Sequence, residues 1–170
     1  DTSSVNSISG VFTGCTIFNG DVSSWDVSGC TNYSNAFQGT AFDQDISGWD
    51  VSSGTNFSYM FRDATSFDQA ITGWNVGSAT NLTNMFRGAT SFNQDIGGWD
   101  VSNVSNMISV FRSATSFDQD LSEWVITSVT QFNNFATGTT FSTDNYDAIL
   151  LGWDAQSVVS SLTINFGSST

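Results

Sequence analysis

Charge in this sequence is carried by fifteen aspartates, one glutamate and three arginines, and the acids recur at fixed intervals. Asp26, Asp50, Asn75 and Asp100 form one series, Asp21, Asp45, Asp95 and Asp120 a second, and Asp43, Asp68 and Asp118 a third. Carboxylates set side by side repel one another unless a cation or a basic partner lies between them. One chemistry open to them is therefore to hold Ca2+, with Asp45, Asp95 and Asp120 as the candidates. Another is to face a basic partner, with Asp26, Asp50, Asn75 and Asp100 pointing outward. A structural reading competes: Asp and Asn accept backbone N–H bonds in bends. It has the better support, because no Ca2+-loop pattern is present. Carboxylate pairs also cleave glycosides, but an active site breaks symmetry, whereas these groups repeat in nearly every unit. Glu123, the lone glutamate, has no catalytic constellation around it. The chain is read as non-catalytic, with no cofactor apart from Ca2+ at the series named.

Other classes fall on composition. There is no histidine, so Ser-His-Asp and Cys-His nucleophiles and ordinary zinc sites have no basis. A net charge of −13 opposes nucleic acid and anionic membrane surfaces. No apolar run has the length of a membrane span, and no signal peptide pattern is found, so direct membrane insertion is not expected. The 170 residues, 39% hydrophobic and 14% aromatic, suffice for one domain with its own core.

The elements that position these groups come from a repeat. Trp25, Trp49, Trp74, Trp99 and Trp124 fall 24, 25, 25 and 25 residues apart. Phe12, Phe37, Phe61, Phe86, Phe111 and Phe135 keep that rhythm, as do Phe18, Phe42, Phe67, Phe92, Phe117 and Phe141. Within a unit, Ala79, Leu82, Met85 and Phe86 share one helical face, with Gly88 as a C-cap. Trp74-x-Val76 reads as a very short strand with both side chains inward. A short helix, a bend and a short strand per unit predict an α/β fold: a right-handed leucine-rich-repeat-like solenoid with a parallel sheet, curved because helices pack wider than strands.

In that frame Arg62, Arg87 and Arg112 occupy one column at the helix end, where a salt-bridge ladder is favoured over a ligand site. Asn32, Asn56, Asn81, Asn106 and Gln131 should form a side-chain ladder between units. Asn32, Asn56, Asn81 and Asn103 also fit the Asn-x-Ser/Thr acceptor pattern. Thr16, Thr40, Thr65, Thr90, Thr115 and Thr139 form a threonine column, for which ice binding is a minor reading. Cys15 and Cys30 lie in core columns at opposite ends of the helical segment, about 15 Å apart in level, so buried free thiols are favoured over a disulfide.

The pattern Phe-Asn-Gln-Asp-Ile-x-x-Trp-Asp-Val-Ser-x-Val-x-Asn-Met-x-x-x-Phe over residues 92–111 resembles the BspA-like leucine-rich-repeat surface proteins and the related repeats of mycoplasma surface lipoproteins. The resemblance covers about residues 1–141. It implies an extracellular or surface-attached solenoid used in adhesion and protein recognition, with a protein or glycan at a cell surface as partner, and no enzyme. The alternative is a structural subunit of a surface filament or larger assembly. Two segments follow: 1–141 as the repeat array and 142–170 as a C-terminal cap. The cap also resembles the segment that closes such arrays. Its Tyr146, Ile149, Leu150 and Trp153 mark an amphipathic helix, with Ser142 or Thr143 as N-cap, and Leu162–Phe166 alternates as a final edge strand. The sequence starts mid-unit, which is expected of a fragment or processed product of a longer protein and of an uncapped first unit able to self-associate.

Overall fold

The computed structural model describes Thr2 and residues 4–157. Among them one regular element is found, the helix α1 (Thr143–Asp154), and no continuous strand. The repeats instead form irregular chain around an extensive aromatic core. Successive units meet through isolated parallel bridges, Ser7 to Asn32, Asn32 to Asn56, Asn56 to Asn81, Asn81 to Asn106 and Asn106 to Gln131.

The backbone accounting shows why the expected helices are absent. In the second unit, the N–H groups of Tyr33, Asn35, Phe37 and Gly39 donate to the carbonyls of Asn56, Ser58, Met60 and Arg62 in the third, at 2.8–3.0 Å. The intervening amides of Ala36, Gln38 and Thr40 close tight turns onto Tyr33, Asn35 and Phe37. Ser34 N–H goes to the side chain of Asn32. Every amide of this stretch thus has a partner, as buried backbone requires. The units that follow repeat the pattern through Phe57, Leu82 and Met107. An α-helix would need all these amides for itself; here half of them reach the neighbouring unit.

The first and last of the three turns in each unit carry a left-handed residue at the third position, as type II turns do. It is Asn35, Tyr59, Asn84, Ser109 and Asn134 in one series, and Gly39, Asp63, Gly88, Ser113 and Gly138 four residues on. Gly88 is left-handed as a C-cap would be, but it closes a turn. The apolar spacing that reads as helical is real: Ala79, Leu82, Met85 and Phe86 are all buried. Residues three apart also share a side when each turn closes from i to i+3. The Trp-x-Val segments are likewise not strands. In Trp74-Asn75-Val76, a turn onto Ile71 precedes and one onto Val76 follows, which leaves no length for a ladder. With no helices in the units, the spacing mismatch expected to curve the stack has no source.

Like residues do lie on like. The rings of Trp25, Trp49, Trp74 and Trp99 stack in one row, consecutive centroids 6.5 Å apart. Phe37, Phe61, Phe86 and Phe111 follow at 5.6–5.7 Å, and Phe42, Phe67, Phe92 and Phe117 at 5.8–6.1 Å. Each indole N–H also donates one unit back, to Val22, Ile46, Ile71 and Ile96 from Trp49, Trp74, Trp99 and Trp124.

The rows change at the last unit. Phe111 N–H pairs with Phe135 as Phe86 N–H pairs with Val110. Phe135 therefore continues the Met60, Met85 and Val110 series, and Ala136 takes the phenylalanine place. Phe141 keeps its place above Phe117, with centroids 6.0 Å apart. Both rings meet their neighbours edge-on, at 87°. α1 then closes the array. Ser142 caps it, its side chain accepting from Asn145 N–H, and Trp153 N–H reaches the Leu121 carbonyl as the earlier tryptophans do. Gly152 lies where a Cβ would strike the Ser122 carbonyl, so helix and last unit touch backbone to backbone. Ile149 and Trp153 are buried, but Leu150 is 41% exposed, narrower than the expected stripe. The expected strand at Leu162–Phe166 lies outside the described residues.

Candidate functional site

The outward acids are built into turns. One carboxylate or amide oxygen of Asp26, Asp50, Asn75 and Asp100 accepts the N–H two residues on, from Ser28, Ser52, Gly77 and Ser102, at 3.0–3.1 Å. The Ser28 hydroxyl adds a second bond to Asp26 at 2.7 Å. Serine hydroxyls and N–H groups hold Asp26, Asp50 and Asp100 below the ordinary carboxylate range, while the Asp50 charge pushes Asp26 the other way. All four side chains are exposed, and the aspartates remain charged at neutral pH. The three aspartates and Asn75 form a row, one group per unit over four units.

Asp21, Asp45, Asp95 and Asp120 make the same local bond to Ser23, Ser47, Gly97 and Ser122. The N–H of Ser23 and of Ser47 lowers the pKa of Asp21 and Asp45. For Ca2+ this row is interrupted: Ala70 stands between Asp45 and Asp95, which puts these two about 9–10 Å apart at one strand spacing per unit. Among the described residues no three acidic or thiol groups cluster to hold a metal ion.

The third series is a spine between units, which the sequence did not reveal. Asp43 Oδ1 accepts both the N–H of Asp68 and the side-chain amide of Gln69. Asp68 does so for Asn93 and Gln94, Asn93 for Asp118 and Gln119, and Asn19 for Asp43 and Gln44. At the top, Asp118 receives Ser142 and Asn145 of the cap. Burial opposes the charge of Asp118, and the bonds from Asn145 and Ser142 outweigh it. The signal was the Asx-Gln pair after each phenylalanine.

The expected asparagine ladder is mostly local. Asn32, Asn56, Asn81 and Asn106 each accept the N–H two residues on, and only Asn106 reaches across, to Gln131. The threonine column is also redrawn. Thr40 and Thr139 are buried in the series of Ala64, Ala89 and Ala114, one place from Thr65, Thr90 and Thr115. Cys30 is buried as expected, but Cys15 is exposed; both are free thiols. Of the arginines, Arg62 pairs with its own neighbour Asp63 at 3.1 Å. Arg87 and Arg112 have no carboxylate within ion-pair distance among the described residues.

Two further features interrupt the surface. Gly97, Gly98, Trp99, Asp100, Val101, Glu123 and Val125 line a shallow depression of about 260 Å³, at the place where Glu123 and Val125 replace the glycine and acid of earlier units. At the first unit, nothing among the described residues donates to the carbonyls of Ser7, Ser9, Val11 and Thr13. Ile17 is 92% exposed beside them.

A family model described as "Mycoplasma protein of unknown function, DUF285" matches residues 1–86 and again residues 69–169. No curated protein and no solved structure matches the chain.

Proposed function

The chain belongs to that family, and from this premise we propose that it is a non-catalytic repeat protein of the cell exterior, a right-handed leucine-rich-repeat-like solenoid that recognises a protein or glycan at a cell surface. The observation that carries this reading is the row of Asp26, Asp50, Asn75 and Asp100. Each turn fixes one oxygen and leaves the group exposed, so three units offer the same acidic feature, with the neutral amide of Asn75 between Asp50 and Asp100. Shallow contacts of this kind gain strength by number rather than by depth. The BspA-like repeats that the sequence resembles support a surface location and an adhesive role.

A basic probe tests it. An oligolysine peptide should bind, and binding should weaken as salt rises. Replacing Asp26, Asp50 and Asp100 by Asn should reduce it more than the same change at Asp144, Asp147 and Asp154, which alters net charge equally. Equal losses from the two triple variants would refute a dedicated row.

The alternative is a structural subunit of a surface filament or larger assembly. Sedimentation against concentration separates the readings: a monomer at all concentrations removes the assembly role.

A further inference from the structure

The three arginines mark a second surface of opposite chemistry. The bridging stretches, residues 6–15, 31–40, 55–64, 80–89, 105–114 and 130–139, contain all three arginines and one carboxylate, Asp63. Their net charge is +2, while the other fifteen carboxylates lie elsewhere with no base among them. The core side of these stretches is apolar, with Phe37, Phe61, Phe86 and Phe111 buried. The arginines, half-buried, lie on the outer side. Because like positions stack, Arg62, Arg87 and Arg112 stand in consecutive units, about 5 Å per step.

The same stretches hold unmet polar groups. Among the described residues, the buried side-chain atoms without a hydrogen bond are Thr83 Oγ1, Asn84 Oδ1 and Thr137 Oγ1. Thr83 and Asn84 are 9% and 6% exposed, and both lie just before Arg87. Thr137 occupies the arginine position of the last unit. An unmet buried polar group costs about 1–3 kcal/mol, so three within these stretches point to a missing partner. Arg62 is partly satisfied by Asp63 and lies 5.6 Å from the Tyr59 ring centroid, whereas Arg87 and Arg112 have no ion pair among the described residues.

We propose that this face binds an acidic oligosaccharide running along the stack, its sulfate or carboxylate groups on Arg87 and Arg112 and its hydroxyls on Thr83 and Asn84. Guanidinium groups take oxyanions in a two-pronged grip. Asn84 Oδ1 needs a donor, which a sugar hydroxyl supplies and a bare oxyanion does not. A ligand that meets both needs within one unit carries hydroxyls and anions together. Protein partners depend on apolar anchors, and from the second unit on this face exposes no large hydrophobic side chain.

The test titrates the chain with heparin-derived and hyaluronan-derived oligosaccharides, with neutral dextran and inorganic sulfate as comparisons. At least one acidic sugar should bind and dextran should not; which one binds identifies sulfate or carboxylate as the anion. R87Q and R112Q should each weaken binding about tenfold, and N84A should weaken the sugar while leaving inorganic sulfate unaffected. Lysine replacements at the same positions, which keep the charge and the solubility, should recover only part of the loss. The Asp26, Asp50 and Asp100 to Asn variant should bind the acidic sugar at least as well as the native chain, which separates this site from the acidic row. Binding unchanged in R87Q and R112Q with native-like melting, no binding of either acidic sugar, or equal affinity for inorganic sulfate alone would each overturn the proposal.

Discussion

The indole N–H of Trp74 donates to the carbonyl of Ile46 at 3.1 Å, across 28 residues of chain and one unit of the array. Trp99 repeats the bond to Ile71, and Trp153 repeats it from α1 to Leu121. Each tryptophan therefore fills the core and also pins the unit before it.

Replacing Trp74 by Phe keeps most of the ring but removes the indole donor from the Ile46 carbonyl, which keeps its turn bond from the Trp49 N–H. A loss of about 0.5–1.5 kcal/mol is expected from the bond, against about 3–5 kcal/mol for Trp74→Ala, which also empties the core. Denaturant unfolding of the two variants measures both. A Trp74→Phe variant as stable as the native chain would mean that the bond contributes nothing.

Asp68 separates charge from geometry in the spine. Asn93 and Asn19 already perform the same task with an amide, so Asp68→Asn should change stability by less than about 0.5 kcal/mol. Asp68→Ala strands the Asn93 N–H and the Gln94 amide and should cost about 1–3 kcal/mol. Thermal melting of both variants checks the contrast.

Gly54 makes room. A Cβ there would strike the Phe57 ring and lie 2.9 Å from Tyr33, and these two rings stack at 4.9 Å. In the next unit the same place holds Ala79 above the smaller Leu82. Gly54→Ala should therefore destabilise by about 1–3 kcal/mol through overcrowding, and pairing it with Phe57→Leu should recover part of the loss. A neutral single variant would show that the ring has space to move.

How much of this was legible follows from what periodicity reports. The spacing of Trp49, Trp74 and Trp99 identified a stacking row, since only neighbouring units can bury them. The spacing of Ala79, Leu82, Met85 and Phe86 identified their shared burial but not their backbone, because a helix and a run of i to i+3 turns bring the same residues together. Asn84 decides between them by its left-handed backbone, which residue type alone does not dictate. Asp43 and Asp68 were read as bend formers. Their bonds lead to the next unit, and single-sequence turn chemistry is blind to a partner 25 residues away. Asp26, Asp50 and Asp100 do form the local turns that their residue type suggests.

Acid should loosen those turns. Serine donors lower the folded pKa of Asp26, Asp50 and Asp100, so the unfolded chain takes up protons first as pH falls. The stability these bonds add is whole above the ordinary carboxylate range and is lost as pH drops through the lowered folded values. Carbon-detected NMR titration should find the three carboxyls titrating higher once Ser28, Ser52 and Ser102 are replaced by Ala. Unchanged midpoints would exclude the serines as the cause.

The register of the units is tested most directly by scalar couplings through the backbone hydrogen bonds. The structure requires couplings from the Tyr33, Phe57, Leu82 and Met107 amides to the carbonyls of Asn56, Asn81, Asn106 and Gln131. Couplings running four residues back within 79–88 instead would restore a helix there and contradict the stacked arrangement.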